Sequence, residues 1–257
     1  MLALLEKTRK INKLLQKAEK ICYDDVAKLL RDVIGANIYI VASPGDIMGL
    51  ALQDDFECDI MREQVLKKTI FPAHYVEWLL KMNATFSNIA MINHTCAFKK
   101  ETTCVFADKF TTVVPIFGNG ERLGTLILAK FKQEFIDADL ILSEHAATVI
   151  GVEILHERAI LSEETARQKA MVQIAFSTLS YSELEAIEHI IGALQGLEGL
   201  LVASKIADKA GITRSVIVNA LRKFESAGLI QTRSLGMKGT FIKILNSHLL
   251  DELNKRK

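Results

Sequence analysis

The chain has 257 residues, 49% hydrophobic and 25% charged, which gives room for two domains and the balance of an ordinary globular protein with a sizeable core. No apolar run reaches transmembrane length, charges interrupt the start MLALLEKTRKINKLLQK, and Cys22, Cys58, Cys96 and Cys104 form no CxxC pair; a secretory leader, a membrane partner and a disulfide scaffold are therefore not expected, and a reducing cytoplasm is. The net charge of +1 hides an asymmetry: Gly199–Lys257 holds 11 Lys and Arg against 4 Asp and Glu, while the remainder holds 21 against 27, as suits a nucleic-acid module joined to an acidic body.

The first elements read as a helix over Ala3–Lys17, a second over Asp24–Ile34, and a strand NIYIVAS at Asn37–Ser43. Pro44-Gly45-Asp46 is a turn and IMGLAL its hairpin partner. Asp55–Lys81 reads helical with a break at Phe71-Pro72, followed by a polar, irregular stretch to about Asn93. TTVVPIF and RLGTLILAKF form the clearest hairpin, with Gly118-Asn119-Gly120 supplying positive φ at the connection. From Asp137 to about Leu179 there is no proline and one glycine, so the stretch reads as one long helix or two nearly collinear ones, with Leu140, Ile141, Ala147, Ile150, Ile154 and Leu155 on its apolar side.

The segment Leu200–Leu245 carries the chemistry. Ser204–Ala210 is a short helix, Gly211 suits the left-handed turn of a helix-turn-helix, and Thr213 is placed to cap the next helix. On that helix Ile217, Ala220, Leu221 and Phe224 fall at i, i+3, i+4 and i+7 and form the core stripe. Ser215, Val218, Asn219 and Arg222 repeat the same spacing on another face. Asn reads adenine bidentately, Arg reads guanine or phosphate, Val meets a thymine methyl, and Ser bonds a base edge or phosphate. Arg214 lies in the first turn, where the helix dipole attracts phosphate, and Ser204 and Thr213, at the starts of the two helices, are further candidate DNA contacts. Leu229–Thr232 and Thr240–Leu245 read as strands flanking a wing, in which Arg233, Ser234 and Lys238 are candidate DNA contacts and Gly236 and Gly239 turn the chain. A helical hairpin with ordinary surface charges would share the helices but not the wing.

The front half shows no Ser/His/Asp grouping, no phosphate-cradling glycine loop and no carboxylate pair, so no catalytic residue is assigned and no enzyme is expected. His94 and Cys96 have the types of metal ligands, but two such residues alone define no site, and no metal is expected. A sensory pocket is the better reading.

ASKIADKAGITRSVIVNALRKFESAGLI and TRSLGMKGT closely resemble the CodY family of global transcription regulators, as do LSYSELEAIEHI (Leu179–Ile190), GNGERLGTLILA (Gly118–Ala129) and EKTRKIN (Glu6–Asn12). The resemblance spans nearly the whole chain and is densest in the winged helix. It implies an α+β fold: a GAF-like ligand-sensing domain with an antiparallel sheet flanked by helices over 1–155, a helical linker over 156–179, and a winged helix-turn-helix domain over 180–257. It further implies a homodimer that represses, and sometimes activates, nutrient-starvation genes at an A/T-rich palindromic operator in double-stranded DNA. Its effector would be isoleucine or another branched-chain amino acid, held at the carboxylate by an arginine. The family's pocket positions correspond to Phe71, Tyr75, Phe98 and Cys96, the last replacing a threonine, and the arginine to Arg62 in Ile60-Met61-Arg62, where the register is open by one residue. The phenyl rings equally suit plain core packing.

GTP is the family's second expected effector, and Ser43, Glu153 and Arg158 match its nucleotide-binding positions. The family's cationic turn is here Ala42-Ser-Pro-Gly-Asp46, with one anion and no cation, which repels a triphosphate. Weak or absent GTP binding and a dominant amino-acid signal are expected. The rival readings are a winged-helix regulator sensing a different small molecule, an enzyme with an appended DNA-binding domain, and a non-sensing nucleoid-type protein.

Overall fold

The computed structural model describes residues 2–14, 16, 21–53, 56–90, 96–99, 102–104, 106, 108–194 and 196–256. The chain divides into two compact units, Met1–Arg158 and Ala159–Lys257.

The first unit is built on a five-stranded antiparallel sheet of order β2-β1-β5-β4-β3, formed by β1 (Asn37–Ala42), β2 (Ile47–Ala51), β3 (Phe86–Ala90), β4 (Lys109–Gly118) and β5 (Glu121–Phe131). The β4–β5 turn has the conformation expected of its residues: Asn119 and Gly120 both take positive φ, at 51° and 78°, as a tight hairpin requires. Alternation along the strands gives the sheet two buried faces. Ile38, Ile40, Ile116, Leu126 and Leu128 turn towards α1 (Leu2–Asn12), α2 (Tyr23–Ile34) and the start of α5 (Asp137–Ser177), against Ile11, Leu30, Leu142 and Ile150. Tyr39, Val41, Val113 and Ile127 turn the other way, towards α3 (Asp59–Met61), the π-helical turn Arg62–Leu66 and α4 (Ala73–Leu80). Lys130 of β5 forms a buried ion pair with Asp139, which also accepts a bond from the Ile136 backbone N–H at 3.2 Å and so fixes the first turn of α5.

Two differences from the sequence reading concern this unit. The stretch read as irregular contains the edge strand β3, interrupted by Asn88 in the left-handed region at φ 53°, whose side chain bonds both polar backbone atoms of Phe135. Ile141, expected on the apolar side of the long helix, is 52% exposed, whereas its neighbour Leu142 is fully buried.

The helix α5 runs unbroken for 41 residues. Its last turns are not a free linker. Val172, Ala175 and Phe176 belong to the core of the second unit, with Phe176 edge-on to Phe224 at 5.2 Å. The Asn246 side chain donates to the Gln168 carbonyl at 2.9 Å. The compact second unit, which begins at Ala159, thus includes these turns, whereas the sequence reading begins the DNA-binding domain at 180.

The second unit then continues through α6 (Tyr181–Ala193), β6 (Glu198–Leu201), α7 (Ala203–Ala210), α8 (Arg214–Ser226), β7 (Ile230–Ser234), β8 (Thr240–Ile244) and α9 (His248–Arg256). Ser180 and Glu183 form a reciprocal capping box on α6. The sheet order is β6-β8-β7, so both β6 and β7 are edges. The wing between β7 and β8 is a 3-10 turn at Gly236–Lys238 whose tip, Met237, is fully exposed. Gly239, at φ 115°, brings its backbone against the Leu201 carbonyl, where a Cβ would collide.

Candidate nucleic-acid interface

Helix α8 has the two faces its spacing demands. Ile217, Ala220 and Phe224 are fully buried and Leu221 nearly so. Ser215, Val218, Asn219 and Arg222 are exposed. Gly211 ends α7 in the left-handed conformation at φ 68°, and Gly228 follows α8 at φ 69°. The other candidates, Ser204 on α7, Thr213 and Arg214 at the start of α8, and Arg233, Ser234 and Lys238 on the wing, are all exposed as well.

One detail is corrected. Thr213 has the extended backbone of an N-cap residue, but its hydroxyl makes no capping bond; it lies 2.8 Å from the Ser215 hydroxyl instead. The first backbone N–H groups of α8 thus lack that side-chain partner, beside Arg214 and two hydroxyls, an arrangement suited to a phosphate oxygen.

The cations of this region fall into two groups. The side chains of Arg214, Arg222, Arg233 and Lys238 make no hydrogen bond or ion pair with another described residue, and neither does that of Asn219. Lys223 is engaged internally: its ammonium donates to Glu183 at 2.7 Å and to the Thr178 carbonyl at 2.8 Å, tying α8 to the capping box of α6. These bonds hold the Glu183 carboxyl below its ordinary value, with the Lys223 hydrogen bond the main cause and the Ser180 backbone N–H the next. Lys205 and Lys209, exposed one turn apart on α7, add two cations beyond those the sequence reading names. Their i, i+4 spacing beside the Gly211 turn was the available signal, since the first helix of such a motif crosses the DNA backbone.

In the first unit, the structure gathers three of the five residues that the family resemblance assigns to an effector. Phe71, Tyr75 and Phe98 form an aromatic cluster with Tyr39, with ring centroids 5.1–5.8 Å apart. Burial in this cluster pushes the hydroxyls of Tyr39 and Tyr75 well above the usual tyrosine range. Cys96 is buried, with its backbone N–H bonded to the Thr102 carbonyl at 2.8 Å.

Arg62 does not join the cluster. It faces solvent and pairs with Asp59 at 3.2 Å, because the helical turn directs Met61 and Val65 inwards instead. Among the nucleotide candidates, Ser43 is half-buried in the β1–β2 turn, Glu153 is buried with its charge near the Tyr23 hydroxyl, and Arg158 pairs with Glu121 at 3.4 Å. Of the suggested metal pair, His94 lies outside the described residues, and no group of three or more potential ligands occurs among those described. No helix among the described residues is long and apolar enough to cross a membrane.

A winged helix-turn-helix with an exposed polar reading face, preceded by an α+β domain, defines a DNA-binding transcription regulator with a sensory-type front domain. The model of the CodY GAF-like domain matches residues 3–178, and that of the CodY helix-turn-helix domain matches 197–257. The global transcriptional regulator CodY of Clostridium kluyveri is 55% identical over 260 residues and that of Clostridium tetani 57% over 259, each alignment covering 100% of both chains. The chain belongs to the CodY family. Among solved structures it is similar to the cofactor-binding GAF domain of the nutrient sensor CodY from Clostridium difficile, at 35% identity, 59% of this chain, 97% of that chain and a TM-score of 0.41.

Proposed function

We propose that the protein is a dimeric, cytoplasmic regulator without catalytic activity, mainly a repressor, which reads an A/T-rich palindrome through α8 and the wing. The carrying observation is the exposed set Arg214, Asn219 and Arg222 on a helix whose opposite face is fully committed to the core, with Arg233 and Lys238 on the adjoining wing, none of them partnered among the described residues. A surface with no internal role for its hydrogen-bonding groups suits a partner rich in acceptors, and duplex DNA supplies phosphates and base edges. Two copies place two such helices at half-site spacing, which accounts for palindromy; α1 and α5 supply the contacts between them.

We infer that the effector is a branched-chain amino acid, enclosed by the face that carries Phe71, Tyr75 and Phe98. Arg62 is not its carboxylate partner here, so the polar contacts come from other groups. GTP is weak or absent as an effector: Asp46 stands in the turn where phosphates would sit, and Arg158 is already paired with Glu121. The effector acts by binding the DNA-competent arrangement more tightly than the other.

Footprinting on the protein's own promoter, with and without isoleucine, tests this reading. A protected palindrome that extends to lower protein concentration with isoleucine is expected. Equal protection of random DNA would overturn the operator, and indifference to isoleucine would overturn the effector. Calorimetry showing tight GTP binding at physiological magnesium would reverse the nucleotide reading.

A further inference from the structure

Glu225 stands where two electrostatic effects disfavour an acid. It lies in the last turn of α8, where the helix dipole presents negative charge. It also lies three residues beyond Arg222, on the helix that meets a polyanion. An offsetting interaction is visible. One carboxylate oxygen, Oε1, accepts from both the backbone N–H and the hydroxyl of Thr232, each at 2.8 Å. Thr232 is the central residue of β7, an edge strand paired, among the described residues, only with β8. The N–H that Glu225 takes belongs to the open edge of that strand, where a donor would otherwise face water or a foreign strand. The next residue is Arg233, the first cation of the wing.

We propose that Glu225 is the positioning residue of the wing: its carboxylate fastens the root of β7 to the end of the reading helix and so sets where Arg233 stands relative to Asn219 and Arg222. Helix and wing then present their contacts as one rigid pattern, and the ordering of the wing does not have to be completed on the DNA. The bond geometry needs an acceptor at this point and does not need a charge. Glutamine keeps the acceptor and removes the repulsion from phosphate; alanine removes both.

The two substitutions separate a latch from a surface acid. Affinity is measured by fluorescence anisotropy with the full-length protein and a duplex selected by the unaltered chain from random sequence. E225Q is expected to bind as tightly as the unaltered chain or more tightly. E225A is expected to bind about threefold to tenfold more weakly, the range of one net hydrogen bond. R233A is then expected to cost less in the E225A background than alone, because a loosened wing no longer delivers Arg233; this non-additivity is a readout that mere destabilisation does not move. Tighter binding by E225A to the same degree as E225Q would overturn the proposal, as would full additivity of E225A and R233A. Failure of the unaltered chain to select any duplex would instead overturn the DNA-binding reading itself.

Discussion

The candidate reading face of α8 and the aromatic cluster of the first unit carry their candidate residues in opposite states. Asn219 and Arg222 are exposed without a partner among the described residues, while Phe71, Tyr75 and Phe98 pack on one another and Phe71 on Tyr39. The difference follows from what each would bind. A macromolecule is met from outside, so its reader must leave hydrogen-bonding groups unsatisfied at the surface. An apolar small molecule is enclosed, so its walls are drawn from the same residue types as a core. The first kind of site stands out against a folded background; the second resembles it.

Several substitutions sharpen that contrast. The largest effect is expected from Phe224→Ala, which removes a fully buried ring beneath the reading face. It should destabilise the second unit by about 3–5 kcal/mol, seen in thermal melting. Asn219→Ala, on the opposite side of the same helix, should leave melting unchanged and cost about 1–3 kcal/mol of operator affinity while relaxing specificity at one base pair. A uniform loss on all sequences would assign Asn219 to the DNA backbone.

The Glu183–Lys223 pair gives a pH signature. The carboxyl is depressed in the folded state, so its contribution is present above the ordinary value of 4.5 and is lost as pH falls through the lower folded value. Glu183→Gln should remove that acid-side dependence, as followed by denaturant unfolding at several pH values. Arg233→Ala should act chiefly on the salt dependence, lowering the slope of log affinity against log salt by about one. Arg62→Ala is expected to change least. Its exposed pair with Asp59 contributes under about 1 kcal/mol, and isoleucine binding by calorimetry should stay at the level of the unaltered chain. A large loss there would bring Arg62 into the effector site after all.

What the sequence disclosed follows the same line. The stripe Ile217, Ala220, Leu221, Phe224 is periodic because one helix face meets one core, and periodicity survives in a linear string. The β4–β5 hairpin was equally legible, since Asn119-Gly120 states its own backbone conformation. Two of the edge strands, β3 and β6, were less so. β3 reads FSNIA with a left-handed Asn88, β6 has only four residues, and neither has two buried faces to enforce an apolar run. The integration of α5 into the second unit was hidden because Val172, Ala175 and Phe176 look like any helical stripe until their partners are known. Arg62 was assigned with the register open by one residue, and on a helix one residue is about 100° of rotation, enough to exchange an exposed Arg62 for a buried Met61.

The wing ends on two neighbouring positions with opposite tolerance for change. At Met237, fully exposed, the fold restricts nothing. At Gly239 positive φ and the Leu201 carbonyl leave no room for any side chain. In a saturation library sorted first for soluble folded protein and then for repression, codon 239 should be purged at the first sort. Codon 237 should pass that sort with its full diversity, so whatever the second sort removes there reports on the promoter alone.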